Sequence, residues 1–190
     1  LLIAGAGLAA DVPPRGLSAE TQKKIDAAVT EVLETTGAPS ASIAIVRDGR
    51  IACLQAYGDA RLEPKAPAEP GVRYAIGSVS KQFTAAAILL LQQDGKLSLD
   101  DKVAKYFPDL TQASDITVRQ LLAHTSGYQD YWPQDYTFAD MRQPTQPAAI
   151  LDRWARQPLD YEPGTRWQYS NTGYVLAGLI VEKVSGEPLY

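Results

Sequence analysis

Residues 74–93 read YAIGSVSKQFTAAAILLLQQ, an apolar run whose first turn carries Ser78, Ser80 and Lys81. The run predicts a helix from Ser78 to about Gln93, stopped by Gly95. A lysine at the head of such a helix needs a reason, because burying an unpaired charge is costly. Either Lys81 reaches solvent or a chemical role keeps it beside Ser78. Ser78 stands where the helix begins, near backbone N–H groups that lack intrahelical partners and whose positive end favours a developing alkoxide. Lys81 follows three residues later, so both side chains reach one point above the first turn. A largely desolvated amine there is expected to be less basic than in water and able to take a proton from the hydroxyl. Ser-x-x-Lys alone remains a weak signal, since a helix cap followed by a solvated lysine has the same pattern.

The rest of the composition narrows the chemistry. With 190 residues, 45% hydrophobic and 21% charged, the chain reads as globular, long enough for one good core or two small ones. A formal net charge of −4 offers no general attraction for nucleic acid or anionic membrane. The single cysteine, Cys53, excludes an internal disulfide or a Cys-based zinc site and reads as a small apolar strand residue. The single histidine, His124, excludes a multi-His metal site, so no metal or cofactor is expected. Gly5-x-Gly7-x-x-Ala10 resembles a dinucleotide-binding fingerprint, but Pro13 and Pro14 break the helix it requires. Residues 1–10 read instead as the remnant of a secretory signal peptide, with Gly7 and Ala9 as its small residues. The stretch is too short to span a bilayer. The expectation is a periplasmic or secreted protein with no stable membrane insertion of the mature chain.

Outward from the opening helix, residues 18–36 predict a surface helix capped by Ser18 and ended by Gly37, with Ile25, Ala28, Val29, Val32 and Leu33 on one face. Two strand-like runs flank Asp48-Gly49, a strong hairpin signal. Residues 59–72 hold three prolines and read as a loop. Thr117 with Gln120 forms a capping box for TVRQLLAH, PAAILDRWARQ is a helix with Pro147 in its first turn, and Pro163-Gly164 makes a turn. A last helix runs from Asn171 to Gly186 on Val175, Leu176, Leu179, Ile180 and Val184.

A second cluster, WQYSNTGY at 167–174, lies just before that last helix. Its plain reading makes Ser170 or Asn171 an N-cap and Tyr169 a buried aromatic. Beside a lysine ammonium, however, a tyrosine oxygen can serve as a phenolate base, and an asparagine amide can hold Lys81 or a substrate carbonyl. Together, IGSVSKQFTA, LLAHTSGY and Tyr169-Ser-Asn171 resemble the serine β-lactamase-related family over roughly residues 38–190. That family includes class C β-lactamases, D-alanyl-D-alanine carboxypeptidases and related esterases.

The resemblance implies an α+β fold, an antiparallel sheet flanked by helices beside a mostly helical region, with the sheet incomplete in these residues. It implies Ser78 as acyl-enzyme nucleophile, Lys81 as proton acceptor and electrostatic partner, and Tyr169 as general base. Asn171 would contact substrate or Lys81, and the Ser78 backbone N–H would supply half of an oxyanion hole. The implied partner is a small-molecule or peptide substrate: a peptidoglycan-type peptide, an ester or a β-lactam. The oligomeric state is left open.

The family's third motif, Lys-Thr-Gly or His-x-Gly, is absent from these residues. Residues 11–190 are therefore expected to be the N-terminal part of one catalytic domain. The rival expectation is a non-catalytic penicillin-binding or sensor module of the same fold. His124 with Ser126 does not suit a His-dependent hydrolase, because no Gly-x-Ser-x-Gly elbow exists, and His124 is expected to be structural. Tyr128, Tyr131, Trp132 and Tyr136 fit a substrate cleft and a packed loop equally well, while Asp100, Asp101 and Glu162 read as turn and surface residues.

Overall fold

A computed structural model of the chain describes residues 16–132 and 143–189. The expected signal-peptide remnant and Tyr136 lie outside the described residues. Contacts divide the chain into two compact units that meet in sequence between Ala75 and Ile76.

The first unit is a helix with a small antiparallel sheet. Helix α1 (Ala19–Thr36) begins where the Ser18 side chain accepts from the Thr21 N–H and ends at Gly37 in the left-handed conformation. Its expected apolar face is only half-buried at Ile25, Val29 and Leu33, and Val32 is 55% exposed. Polar side chains join it to the sheet. Tyr57 Oη donates to Asp26 at 2.7 Å, and Gln22 donates to Gln55 at 2.7 Å. Burial and the Asp26 carboxylate together push the Tyr57 hydroxyl up to about 12.

Strands β1 (Ser40–Arg47) and β2 (Arg50–Leu62) pair antiparallel, with Arg47 opposite Arg50. Asp48 and Gly49 both have positive φ, 51° and 72°, as the predicted two-residue hairpin requires. The loop expected at 59–72 is partly strand. Strand β2 runs on to Leu62 and pairs with β3 (Lys65–Pro67), giving the order β1-β2-β3. Pro64 sits in the connecting turn and Pro67 at the strand end, where a missing N–H does not interrupt the ladder.

The second unit is helical. A 3-10 turn (Gly77–Ser80) leads into α2 (Lys81–Gln93), followed by a 3-10 turn at Val103–Lys105 and the short α3 (Val118–Leu122). Both halves of the Thr117–Gln120 capping box are formed. Helix α4 (Pro147–Ile150) continues directly into a π-helical turn at Leu151–Ala155, and α5 (Asn171–Ser185) ends at Gly186 with positive φ. The core gathers Ile88, Val103, Ile116, Val118, Leu121, Leu176 and Ile180, none of which reaches solvent. Helix α2 enters it through Ile88 and Leu91, with Thr84 buried and Ala87 packed against it, while Phe83 and Leu90 stay more than 60% exposed. The greasy helix is thus buried on one stripe within its own unit.

Leu176 lies at the centre of this cluster, so Leu176→Ala leaves a cavity against Leu121, Ile88 and their neighbours. The expected loss is about 3 kcal/mol of unfolding free energy, read from denaturant midpoints of the full-length protein. A loss below about 1 kcal/mol would mean that the core closes around the change.

Candidate active site

Ser78, in the 3-10 turn, and Lys81, at the first position of α2, are joined by the predicted spacing: Lys81 Nζ donates to Ser78 Oγ at 3.2 Å. Tyr169 and Asn171, ninety residues away in sequence, arrive at the same point. Ser78 Oγ and Tyr169 Oη are 2.6 Å apart, and Lys81 Nζ donates to Asn171 Oδ1 at 2.6 Å. The ammonium also stands over the rings of Tyr169 (4.8 Å) and Tyr174 (5.6 Å). All four predicted site residues therefore share one hydrogen-bonded chain. Lys81 is half-buried rather than sealed in the core, and Ser78 is exposed.

Helix capping explains why Asn171 is available. The cap belongs to Ser170, whose side chain accepts from the Gly173 N–H at 3.2 Å. Asn171 is the first helical residue, and its side chain is left to point at Lys81. Tyr169, one residue before the cap, is still extended enough to reach Ser78.

The segment 169–171 is clasped by the loop 124–130. His124 Nδ1 accepts from the Ser170 N–H at 3.1 Å, and an Asp130 oxygen accepts from the Asn171 N–H at 2.9 Å. Asp130 also accepts from the Asn171 side-chain amide, with both carboxylate oxygens 3.1 Å from Nδ2, and from the Trp132 N–H. The Tyr131 N–H donates to the buried Thr172 hydroxyl at 3.0 Å. The loop is itself tied back. The His124 carbonyl accepts from the Gln168 N–H, the Thr125 carbonyl from Gly164 and the Gly127 carbonyl from Asp160. Gly127 is required here, since its φ is +83° and a Cβ would run into the Tyr161 carbonyl.

Sequence reasoning placed His124 in a structural turn, and it is that, with φ +58°, a conformation histidine tolerates better than most residues. It also stacks at 4.5 Å on Tyr169 and at 5.1 Å on Tyr174, with Trp167 edge-on at 6.0 Å. Asp130 was missed altogether. It stands in an irregular aromatic stretch where no periodicity or spacing pairs it with Asn171.

A cleft of about 310 Å³ opens beside Ser78, lined by Gly77, Ser80, Lys81, Tyr131, Trp132 and Asn171. Tyr131 and Trp132, expected either in a cleft or in a packed loop, form its wall with their rings edge to face at 6.4 Å. Tyr128 is instead buried in the core. Among the described residues, no group of three or more His, Cys, Asp or Glu is gathered where a metal could be held, and no helix is long and apolar enough to cross a membrane.

Comparison with known proteins agrees with this geometry. The Beta-lactamase family model matches residues 25–189. This chain belongs to that family. It is 35% identical to "Protein flp" of Staphylococcus aureus (strain NCTC 8325 / PS 47) over 176 residues, covering 89% of this chain and 34% of that protein. A class C beta-lactamase crystallised with cefoxitin superposes with a TM-score of 0.74 at 27% identity, covering 89% of this chain and 46% of that one. The D-amino acid amidase from Ochrobactrum anthropi SV3, complexed with L-phenylalanine, superposes with a TM-score of 0.73 at 33% identity, covering 86% and 46%. The chain thus spans about a third of the first relative and under half of the two solved structures. The α+β fold of β-lactamases and penicillin-binding proteins is therefore shared, in part, by the residues present.

The His124 contact carries a pH dependence. Burial, and then the nearby Lys81 charge, hold its imidazole below the usual value of 6.5, against the raising effects of Asp130 and of the Ser170 contact. Tyr169, Tyr174 and Tyr161 are its other titratable neighbours. A base with a lowered folded pKa binds protons more readily when unfolded, so stability rises with pH and falls as pH drops below about 6.5. His124→Asn keeps an acceptor and tolerates positive φ. The melting temperature of the wild type should therefore drop relative to His124→Asn as pH falls from 7.5 to 5. A pH-independent difference would show that His124 is not held neutral.

Proposed function

We propose that the full-length protein is a serine hydrolase working through an acyl-enzyme on Ser78. The observation that carries this reading is the convergence of Tyr169 Oη and Lys81 Nζ on Ser78 Oγ, at 2.6 and 3.2 Å. Ser78 Oγ attacks the substrate carbonyl carbon, and its proton passes to Tyr169 Oη, 2.6 Å away. Lys81, as an ammonium over the Tyr169 ring, favours the phenolate that accepts it. The tetrahedral adduct collapses, Tyr169 returns the proton to the departing amine or alkoxide, and an ester on Ser78 remains. Water then attacks that ester, giving its proton to Tyr169, which passes it to Ser78 Oγ as the Ser78 ester bond breaks and the acid is released. The Ser78 backbone N–H, in the first turn, supplies one donor to the oxyanion.

The substrate class is a carbonyl compound: a peptidoglycan-type peptide, an ester or a β-lactam. The relatives support that range, since one was crystallised with cefoxitin and another is a D-amino acid amidase. The cleft beside Ser78 is at the small end of ligand sites. The reading places the protein outside the cytoplasm, in the periplasm or secreted, where the peptide substrate lies.

Labelling with a fluorescent penicillin and hydrolysis of a p-nitrophenyl ester test the proposal on the full-length protein. Ser78→Ala should abolish the adduct. Tyr169→Phe and Lys81→Ala should remain folded and slow acylation by about 10²-fold or more. Neither adduct nor ester hydrolysis by the wild type would overturn the reading, and wild-type rates in both variants would overturn the two roles. A stable adduct without turnover would instead support a penicillin-binding module.

A further inference from the structure

We infer that Asp130 is a positioning residue that sets the orientation of the Asn171 amide and, through it, the place of Lys81; this rests on the reading of Ser78 as nucleophile. Three donors converge on the Asp130 carboxylate: the Asn171 N–H at 2.9 Å, the Asn171 Nδ2 at 3.1 Å from both oxygens, and the Trp132 N–H at 3.1 Å. The carboxylate is acceptor-only, and the Lys81 ammonium is donor-only. Asn171 lies between them. With Nδ2 toward Asp130 and Oδ1 toward Lys81, both contacts pair a donor with an acceptor. With the amide turned over, Oδ1 would face a carboxylate and Nδ2 an ammonium, so both contacts would become repulsive. The two charged neighbours thus select one of two orientations that are isosteric in shape.

The consequence reaches Ser78. In the selected orientation, Asn171 Oδ1 holds Lys81 Nζ at 2.6 Å, leaving the amine within 3.2 Å of Ser78 Oγ. The two oxygens of one carboxylate subtend a much narrower angle at Nδ2 than the roughly 120° between its two hydrogens. One hydrogen is therefore shared between them, and the second points away from Asp130. Asp130 aims that hydrogen as well as the carbonyl, so a substrate carbonyl beside Asn171 meets a donor whose direction is fixed in advance. Asp130 touches neither Lys81 nor Ser78 and acts through Asn171.

The test is a double-mutant cycle in the full-length protein. Asp130→Asn is isosteric and keeps an acceptor for the Asn171 and Trp132 N–H groups, but presents an amide that accommodates Asn171 in either orientation. Acylation by fluorescent penicillin should slow 10- to 100-fold with KM changed less than 3-fold. In an Asn171→Ala background, the same change should cost less than 3-fold. A wild-type rate for Asp130→Asn, or an equal cost in both backgrounds, would overturn the proposal. Should Asp130→Asn not fold, Asp130→Glu carries the same cycle with the charge retained and the arm displaced.

A second measurement does not depend on turnover. Of the two carboxamide protons of Asn171, assigned by their loss in Asn171→Ala, the one held by Asp130 should exchange with solvent at least 10-fold faster in the Asp130 variant than in the wild type. Unchanged exchange would overturn the inference even if the enzyme is active. Faster exchange in a protein that forms no adduct and hydrolyses no ester would overturn the function and leave the positioning role standing.

Discussion

Two successive backbone N–H groups, those of Ser170 and Asn171, are held by side chains from one loop, His124 and Asp130. The arrangement of the site follows from this clasp. It fixes the entry of α5, which leaves Ser170 to cap the helix and brings Tyr169 to Ser78 and Asn171 to Lys81. The physical constraint is one of accounting. The first N–H groups of a helix have no intrahelical acceptors, and here three of them are met by three different kinds of group. An imidazole nitrogen takes one, a carboxylate takes another, and the Ser170 hydroxyl takes the Gly173 N–H.

Charge is arranged along the same path. From Asp130 through the Asn171 amide to the Lys81 ammonium, and on to the Ser78 hydroxyl and the Tyr169 oxygen, each contact pairs a donor with an acceptor. Removing a middle member leaves charged groups at both ends without their partner, which is why such chains behave as units rather than as sums of pairs. Tyr174 closes one side: burial raises its hydroxyl, which donates to the Leu122 carbonyl, while its ring faces Lys81.

Much of this was legible in local signals. Ser18, Thr117 and Ser170 cap helices as their chemistry predicts, Asp48-Gly49 makes the hairpin, and Ser78 with Lys81 stands one turn apart. These features depend on residues within about four positions of one another. What escaped depends on distance in sequence. Residues 59–72 read as a loop because of their prolines, yet β2 runs to Leu62 because β3 supplies it with a partner. Asp130 carries no pattern of its own; only its contact with a residue 41 positions away gives it a role. The apolar run of α2 also promised a wholly buried helix, whereas only one stripe meets the core of its unit. Periodicity shows that a face is apolar, and not what covers it.

Tyr128 is in the same loop as His124 and Asp130, with its ring almost wholly buried and its hydroxyl donating to the Thr111 carbonyl at 3.1 Å. Ser126, two residues earlier, is equally buried. The wall that clasps the Tyr169–Asn171 segment is therefore part of the hydrophobic core and not a lid laid over it. Swinging it aside would expose a tyrosine to water. Beside this wall Ser78 is exposed, and Trp132, next to Asp130 in the loop, is 38% exposed. The groups that orient Tyr169 and Asn171 are thus held by the same packing that stabilises the unit.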